Sequence, residues 1–560
     1  MLATLVLTTL SFQAPPPPLP DDEAWLQLLD AVRSIDGSGN NLAHPERGSA
    51  DVTFARFTGP AYADGTDAPA GPDRPSARVI SNWVCAQSAD MPNTAGVTDF
   101  VWQWGQFLDH DLDETPILLP PEAFDVSVPA WDPWFDPQGT GTQVIGLRRS
   151  FYERVDGIRE QVNEITAYND ASNVYGSDAE RARALRTLDG SGRLKTSAGG
   201  LLPFNEAGLP NAPAPTADFF LAGDFRANEQ VGLTAMHTLF VREHNFWAER
   251  LAERFSERGR DGPGAGHGGH SQARGRRRSG ERELTGDELY ELARCIVAAE
   301  MQAITYREFL PVLLGPGALA PYLGYRDDVD ASIRNEFATA AYRFGHSMLS
   351  PRLLRVDRDG DAHSAGHLSL AEAFFAPQEL VEHGIDPLLR GLARQPAQEV
   401  DAFLVDEVRN FLFGPPGAGG FDLASLNLQR GRDHGLPGYN QMRRDLGLSA
   451  ALGFDDITSD PELRRRLSIA YGGDVELVDP WVGGLCEDAR PGALVGELVH
   501  HVLRRQFELL RDGDRFWYRS AMPPQLVQLV EQQTLARIVR RNTGIGSEFP
   551  DDPFRLGGPR

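Results

Sequence analysis

Apolar residues recur at helical spacing along most of this chain and almost never alternate as a half-buried strand requires. The pattern is plain in AWLQLLDAVRSI, Ala24 to Ile35, and returns around 100–112, 229–254, 285–304, 331–349, 460–470 and 495–511. Each apolar stripe needs a neighbouring element to cover it. The predicted fold class is therefore mainly α, a large multi-helical domain with little β structure. Turn signals such as Asp359-Gly360 and Gly414-Pro415-Pro416-Gly417 separate the stripes. Thr285 and Glu288 form a capping box that starts a helix.

A chain of 560 residues could hold one large domain or two or three. The expected organisation is a leader over 1–20, one catalytic domain over 21–550 and a tail over 551–560. The leader contains MLATLVLTTLSFQA and four prolines. It reads as the apolar part of a secretory signal without its basic start, which points to export, and it is too short to span a bilayer. No later run reaches 18 uninterrupted apolar residues, so no transmembrane helix is predicted. GRDGPGAGHGGHSQARGRRRSG, within about 257–283, is expected to be a disordered surface insertion, with His267 and His270 in a solvated loop. The net charge of −25 repels nucleic acid, so no nucleic-acid partner is expected. Three cysteines without a C-x-x-C or C-x-x-C-H pattern exclude a cysteine zinc site and a thioether-attached haem.

WGQFLDHDLDETP, Trp104 to Pro116, sets His110 among Asp109, Asp111, Asp113 and Glu114. On a helix, Gln106 and His110 share a face, while Asp111 points about 100° away. One helix can thus present an amide and an imidazole to one site and a carboxylate to another. The alternation of Asp109, Asp111 and Asp113 imitates a calcium loop but fails, because Glu114 replaces the required Gly and Pro120 the closing Glu. A solvated acidic face with one structural histidine explains this stretch as well.

Four further motifs decide between these readings. LAGDFRANEQVGLTAMHTLFVREHN places Arg226, Glu229 and Gln230 at helical spacing. AYRFGHSML carries Arg343 and His346, SLNLQRGRDHGLPGYN carries Asn427 and Arg430, and TAYNDASNVYGSD carries Thr166, Tyr168, Asp170 and Ser172. Together, from RVISNW at Arg78 to RDGDRFWYRS at Arg511, they resemble the animal-type haem peroxidases of the peroxidase–cyclooxygenase superfamily, in a bacterial-type version.

The resemblance implies haem b as cofactor, with hydrogen peroxide and a small-molecule or halide donor as reactants. It makes His110 the distal base, which must take a proton from peroxide and return it to the departing oxygen, work suited to a neutral imidazole. Gln106 would line the distal cavity, and Arg226 would stabilise the charge that develops as the O–O bond breaks. His346 would ligate iron with Asn427 as its hydrogen-bond partner, Arg430 would pair with a propionate, and Arg343 stands where peroxidases carry arginine. Asp109 and Glu229 match two carboxylates that become ester links to haem. Gln230 replaces a methionine that forms a third, sulfonium link in a chloride-oxidising member, so that link cannot form. Asp111, Thr166, Tyr168 through its carbonyl, Asp170 and Ser172 match a calcium site, an oxygen-rich set suited to a hard cation.

Two rivals stay in view. Fatty-acid oxygenases of the superfamily carry a radical-forming tyrosine three residues before the proximal histidine, where this chain has Arg343, with Tyr342 one residue further back. A calcium-dependent adhesion or matrix protein with a decayed haem pocket would lack some of the matched residues, and none is missing. His237, His244 and His434 are expected to be structural, and Asp357–Asp361 a hairpin turn.

Overall fold

The structure, a computed structural model, describes residues 19–257 and 283–557. Most of the expected leader, and nearly all of the Gly/Arg-rich insertion with His267 and His270, lie outside these residues. Helix makes up 41% and strand 9%, so the mainly α expectation holds. One hydrophobic cluster threads the described residues from Ala24 to Phe554.

Helix α1 (Phe100–Leu112) runs through this cluster and is buried along its length except at Gln106 and Asp109. A helix buried nearly all round is a core helix, so its polar residues must find partners inside the core. Phe107 stacks on Phe240 at 5.1 Å and meets His237 edge-on at 5.0 Å; burying one such ring contributes about 1.5–3 kcal/mol. Helix α2 (Val231–Glu257) packs on α1 and on α3 (Gly286–Ile304). The capping box forms: Glu288 N donates to Thr285 Oγ1 at 3.2 Å, and Thr285 N to Glu288 Oε2 at 2.9 Å. Helix α4 (Asn335–Thr339) leads into a 3₁₀ turn over Ala341–Ser347, which packs against α1 on one side and α6 (Glu497–Asp512) on another. Between them in sequence, α5 (Leu423–Asp433) packs on α4.

The largest sheet has three short antiparallel strands, β1 (Val52–Thr53), β2 (Tyr152–Val155) and β3 (Ile158–Asn163), in the order β1-β3-β2. Its end fixes the end of α1. Asn163 Nδ2 donates to Leu112 O at 2.9 Å, satisfying a terminal helix carbonyl, and Asn163 Oδ1 accepts from Glu114 N at 2.9 Å.

Several sequence expectations need correction. The stripe at 24–35 is a helix only over Asp22–Leu26 and a 3₁₀ turn over Gln27–Asp30; beyond it Arg33 is drawn out to Asp514 at 2.7 Å. The stripe at 331–349 breaks at Ala340 (φ −131°, ψ −69°), and this break puts His346 on the 3₁₀ turn rather than on a helix. Arg226 and Glu229 do not share a helix face, because α2 starts only at Val231 and both sit in the turns before it. The expected tail packs back on the core: Phe554 is buried against Phe100 and Trp104, and Leu556 N donates to Gly96 O. The hairpin turn at Asp357–Asp361 is present, with Val356 paired to Ala362.

Candidate active site

Between α1 and the 3₁₀ turn lies a cavity of about 720 Å³. Gln106, Asp109, His110, Arg226 and Glu229 line it together with Arg343, His346, Asn427 and Arg430. All nine residues expected to act in catalysis or hold the cofactor therefore face one space, although they come from four separate stretches of chain.

His110 is buried, and burial followed by the charge of Arg226 holds its pKa well below the usual histidine value. Its imidazole is therefore neutral. Its Nδ1 lies 3.5 Å from Asp224 Oδ1 and its Nε2 is 4.0 Å from Glu229 Oε2. Arg226 is clamped on three sides. Its Nε and Nη2 donate to the two oxygens of Asp224 at 2.9 and 2.8 Å, its Nη2 also to Asp113 O at 3.0 Å, and its Nη1 lies 2.7 Å from Glu114 Oε2. Burial opposes the charge, but Asp224 and then Glu114 outweigh it and fix the guanidinium as a cation. Asp224 stays ionised: burial alone would raise its pKa, yet the charge and hydrogen bonds of Arg226 hold it far below the usual carboxylate range.

A chain of amides borders this pair. Gln106 Nε2 donates to Glu229 Oε2 at 3.0 Å, and Gln230 Nε2 donates to Gln103 Oε1 at 2.7 Å and to Gln106 Oε1 at 3.1 Å. Gly232 must lack a side chain here, since a Cβ would sit 2.5 Å from Gln103 Oε1. Enclosure in the cavity raises the pKa of Asp109 to about 6 and those of Glu114 and Glu229 to about 7.

On the other wall, His346 is also neutral, its pKa lowered to about 3 by burial and then by Arg343. Asn427 reaches it, but with its amide reversed from the expected sense: Asn427 Nδ2 donates to His346 Nδ1 at 2.8 Å. The cause is Arg343, which can only donate and takes Asn427 Oδ1 at 2.9 Å. A histidine that ligates through Nε2 carries its proton on Nδ1, so ligation requires the amide turned over. Arg430 is already matched by Asp433 at 2.9 Å. Arg343, among the described residues, has no carboxylate partner, and burial lowers its pKa. A cavity of this size, with a neutral imidazole and a half-buried guanidinium lacking a carboxylate partner among the described residues, fits a flat ligand that offers a metal to the first and a carboxylate to the second.

Behind α1 lie the five residues expected to hold calcium. Asp111, Thr166, Tyr168, Asp170 and Ser172 are all buried. Ser172 Oγ donates to Asp111 Oδ1 at 3.0 Å, Thr166 Oγ1 to Asp170 Oδ1 at 3.0 Å, and Asp170 N to Asp111 Oδ2 at 3.1 Å. Burial and then Asp170 push the Asp111 carboxyl well above its usual pKa. Two buried carboxylates ringed by hydroxyls fit a hard cation, which would relieve their repulsion.

The three histidines expected to be structural are each held inside the core. His434 bonds Ser150 and Asn335 through its two nitrogens, His244 bonds Tyr175 and Gly192, and His237 lies against Asn173 O. The sequence reading missed Asp224 as the partner of Arg226 and Glu114 as its second anion. Asp224 stands two residues before Arg226, a local signal that was there to use.

A sequence model of the animal haem peroxidase family matches residues 32–554. The chain is 37% identical to peroxidasin of Drosophila melanogaster over 562 residues, covering 90% of this chain but 35% of that protein. It thus spans about a third of that relative. It is 34% identical over 531 residues to peroxinectin A of Dictyostelium discoideum, covering 91% of this chain and 93% of the other. The solved structure of peroxidase A from Dictyostelium discoideum superposes with a TM-score of 0.83 at 33% identity, over 94% of this chain and 99% of the other. These relatives, from a fly and an amoeba, lend the expected bacterial type no support.

Proposed function

The chain belongs to the animal haem peroxidase family, and from that premise we propose that it uses haem b to reduce hydrogen peroxide and oxidise small donors: phenols, bromide, iodide or thiocyanate. One observation carries the reading. Neutral His110 beside a fixed Arg226 cation shares a cavity with neutral His346, whose Nδ1 is held by Asn427. Haem held by His346 would supply the iron that takes up the peroxide oxygen and passes on two oxidising equivalents. His110 accepts the peroxide proton and returns it to the outer oxygen, which leaves as water. Arg226, immobilised by Asp224 and Glu114, stabilises the negative charge on that oxygen without having to reorganise. Arg343 is the cation best placed to take a haem propionate, because Arg430 already has Asp433. Gln106 orients water or donor beside Glu229, and Asp109 and Glu229 are the residues to which ester links would form.

Gln230 bears on the donor. Its amide is engaged by Gln103 and Gln106 and cannot make a sulfonium link. One covalent constraint fewer on the macrocycle lowers the oxidising power, so chloride is expected to be a poor donor. Arg343 in place of a radical-forming tyrosine disfavours lipid oxygenation. We further propose calcium at Asp111, Thr166, the Tyr168 carbonyl, Asp170 and Ser172, catalysis by one domain that includes the segment packed back through Phe554, and export directed by the apolar leader. The test is spectroscopic. Protein produced with haem should show a Soret band that shifts with peroxide, and His346→Ala should lose it. A parent protein that binds no haem would refute the proposal.

A further inference from the structure

Aromatic rings connect the cavity of His110 and His346 to a second cavity of about 260 Å³ at the far side of α6. Tyr342 lines the first. Its ring centroid is 5.8 Å from that of Phe507, which is 6.0 Å from Tyr306; Tyr306 is 4.6 Å from Trp517, and Trp517 is 4.8 Å from Tyr518. Tyr306, Trp517 and Tyr518 line the second cavity with Tyr322, and exposed Arg307 and Arg519 also border it.

We propose that Tyr342, Tyr306, Trp517 and Tyr518 form an electron relay, with Phe507 only a packed bridge that the electron tunnels across without the ring being oxidised, through which peroxide-driven oxidation reaches phenolic donors too large to enter the cavity of His110. The proposal rests on the peroxidase reading above. Tunnelling falls off exponentially with distance, so consecutive short ring-to-ring steps outcompete one long one. The members differ in what they do with a proton. Among the described residues Tyr342 has no partner for its buried hydroxyl and Tyr306 donates to the Phe507 carbonyl, so neither has a base there and both serve as passing points. Trp517 can give up an electron without a proton. Tyr518 donates its hydroxyl to Glu531 Oε1 at 3.0 Å, and there the proton has an acceptor.

The balance is then complete. Tyr518 loses one electron inward along the rings and its phenolic proton to Glu531, leaving a neutral tyrosyl radical at the second cavity. A phenol bound there returns one electron to Tyr518, Glu531 returns the proton, and the donor's own proton goes to solvent. Two phenols are each oxidised by one electron, and one peroxide takes up two electrons and two protons to become two waters.

The test uses the haem-loaded protein with peroxide and a nitroso spin trap, and maps adducts by peptide mass spectrometry. The parent should be trapped at Trp517 or Tyr518. Tyr306→Phe and Trp517→Phe, both nearly isosteric, should each lower trapping at Tyr518 about tenfold, the size of effect that marks a closed route. They should slow oxidation of a phenol tethered to a large polyethylene glycol and leave oxidation of free phenol unchanged. Undiminished trapping in both variants, or equal slowing of free and tethered phenol, would overturn the relay. A parent that reacts with peroxide but is never trapped at Trp517 or Tyr518 refutes the relay alone. A parent that does not react with peroxide refutes the peroxidase reading and the relay with it.

Discussion

Glu114 sets the charge of the cavity that its neighbours organise. It supplies the second anion on Arg226, at 2.7 Å, and enclosure raises its pKa to about 7. A carboxylate with a raised pKa is neutral below it and negative above it. As pH rises through about 7 the cavity gains negative charge, so kcat/KM for iodide or thiocyanate should fall while that for an uncharged phenol stays nearly level. His110 remains the neutral base throughout, since its pKa lies well below this window. Glu114→Gln removes one unit charge beside Arg226 and should raise kcat/KM for iodide at neutral pH by about tenfold, the scale of a partly screened charge at close range. A pH-rate series with the two donor types checks both statements. Parallel profiles for iodide and phenol would count against Glu114.

At the scale of elements, α1 works on two faces. His110 and Gln106 look into the cavity, and Asp111 faces the buried carboxylate Asp170 behind it. An ion bound there only by the native fold would stabilise it by mass action, by about 2.7 kcal/mol at a hundredfold excess over Kd. Chelation should therefore lower the Tm of the parent, and the Tm of Asp170→Asn should no longer respond to calcium. A calorimetric scan with and without chelator decides this; identical parent curves would reject the site. The division of α1 into two faces was legible in the spacing of Gln106, His110 and Asp111. The break at Ala340 was not, because apolar periodicity runs through 331–349 while the backbone between α4 and the 3₁₀ turn is set by tertiary packing. Of the Arg226 clamp, Asp224 was legible two residues before it, whereas Glu114 was not, because it reaches Arg226 from a distant stretch of chain.

At the scale of the whole molecule, the net charge of −25 acts on every charged reactant. Anionic donors approach against this field, so their kcat/KM should rise with ionic strength as the Debye length shrinks from about 30 Å at 0.01 M to about 10 Å at 0.1 M. Phenol should show no such trend. Motif order along the chain made the cavity residues readable, from His110 to Arg430, because each short motif keeps its chemistry local. What the chain could not reveal locally is the meeting of distant rings, Tyr306 with Trp517 or Tyr342 with Phe507, which exists only once α6 packs behind the 3₁₀ turn. The central claim is that His110 moves the peroxide proton in a cavity whose haem is held by His346. Stopped-flow mixing of haem-loaded His110→Ala with peroxide tests it most directly. The account predicts an intact Soret band and an oxidation rate lowered by about 10²–10⁴-fold; a rate equal to the parent's would contradict it.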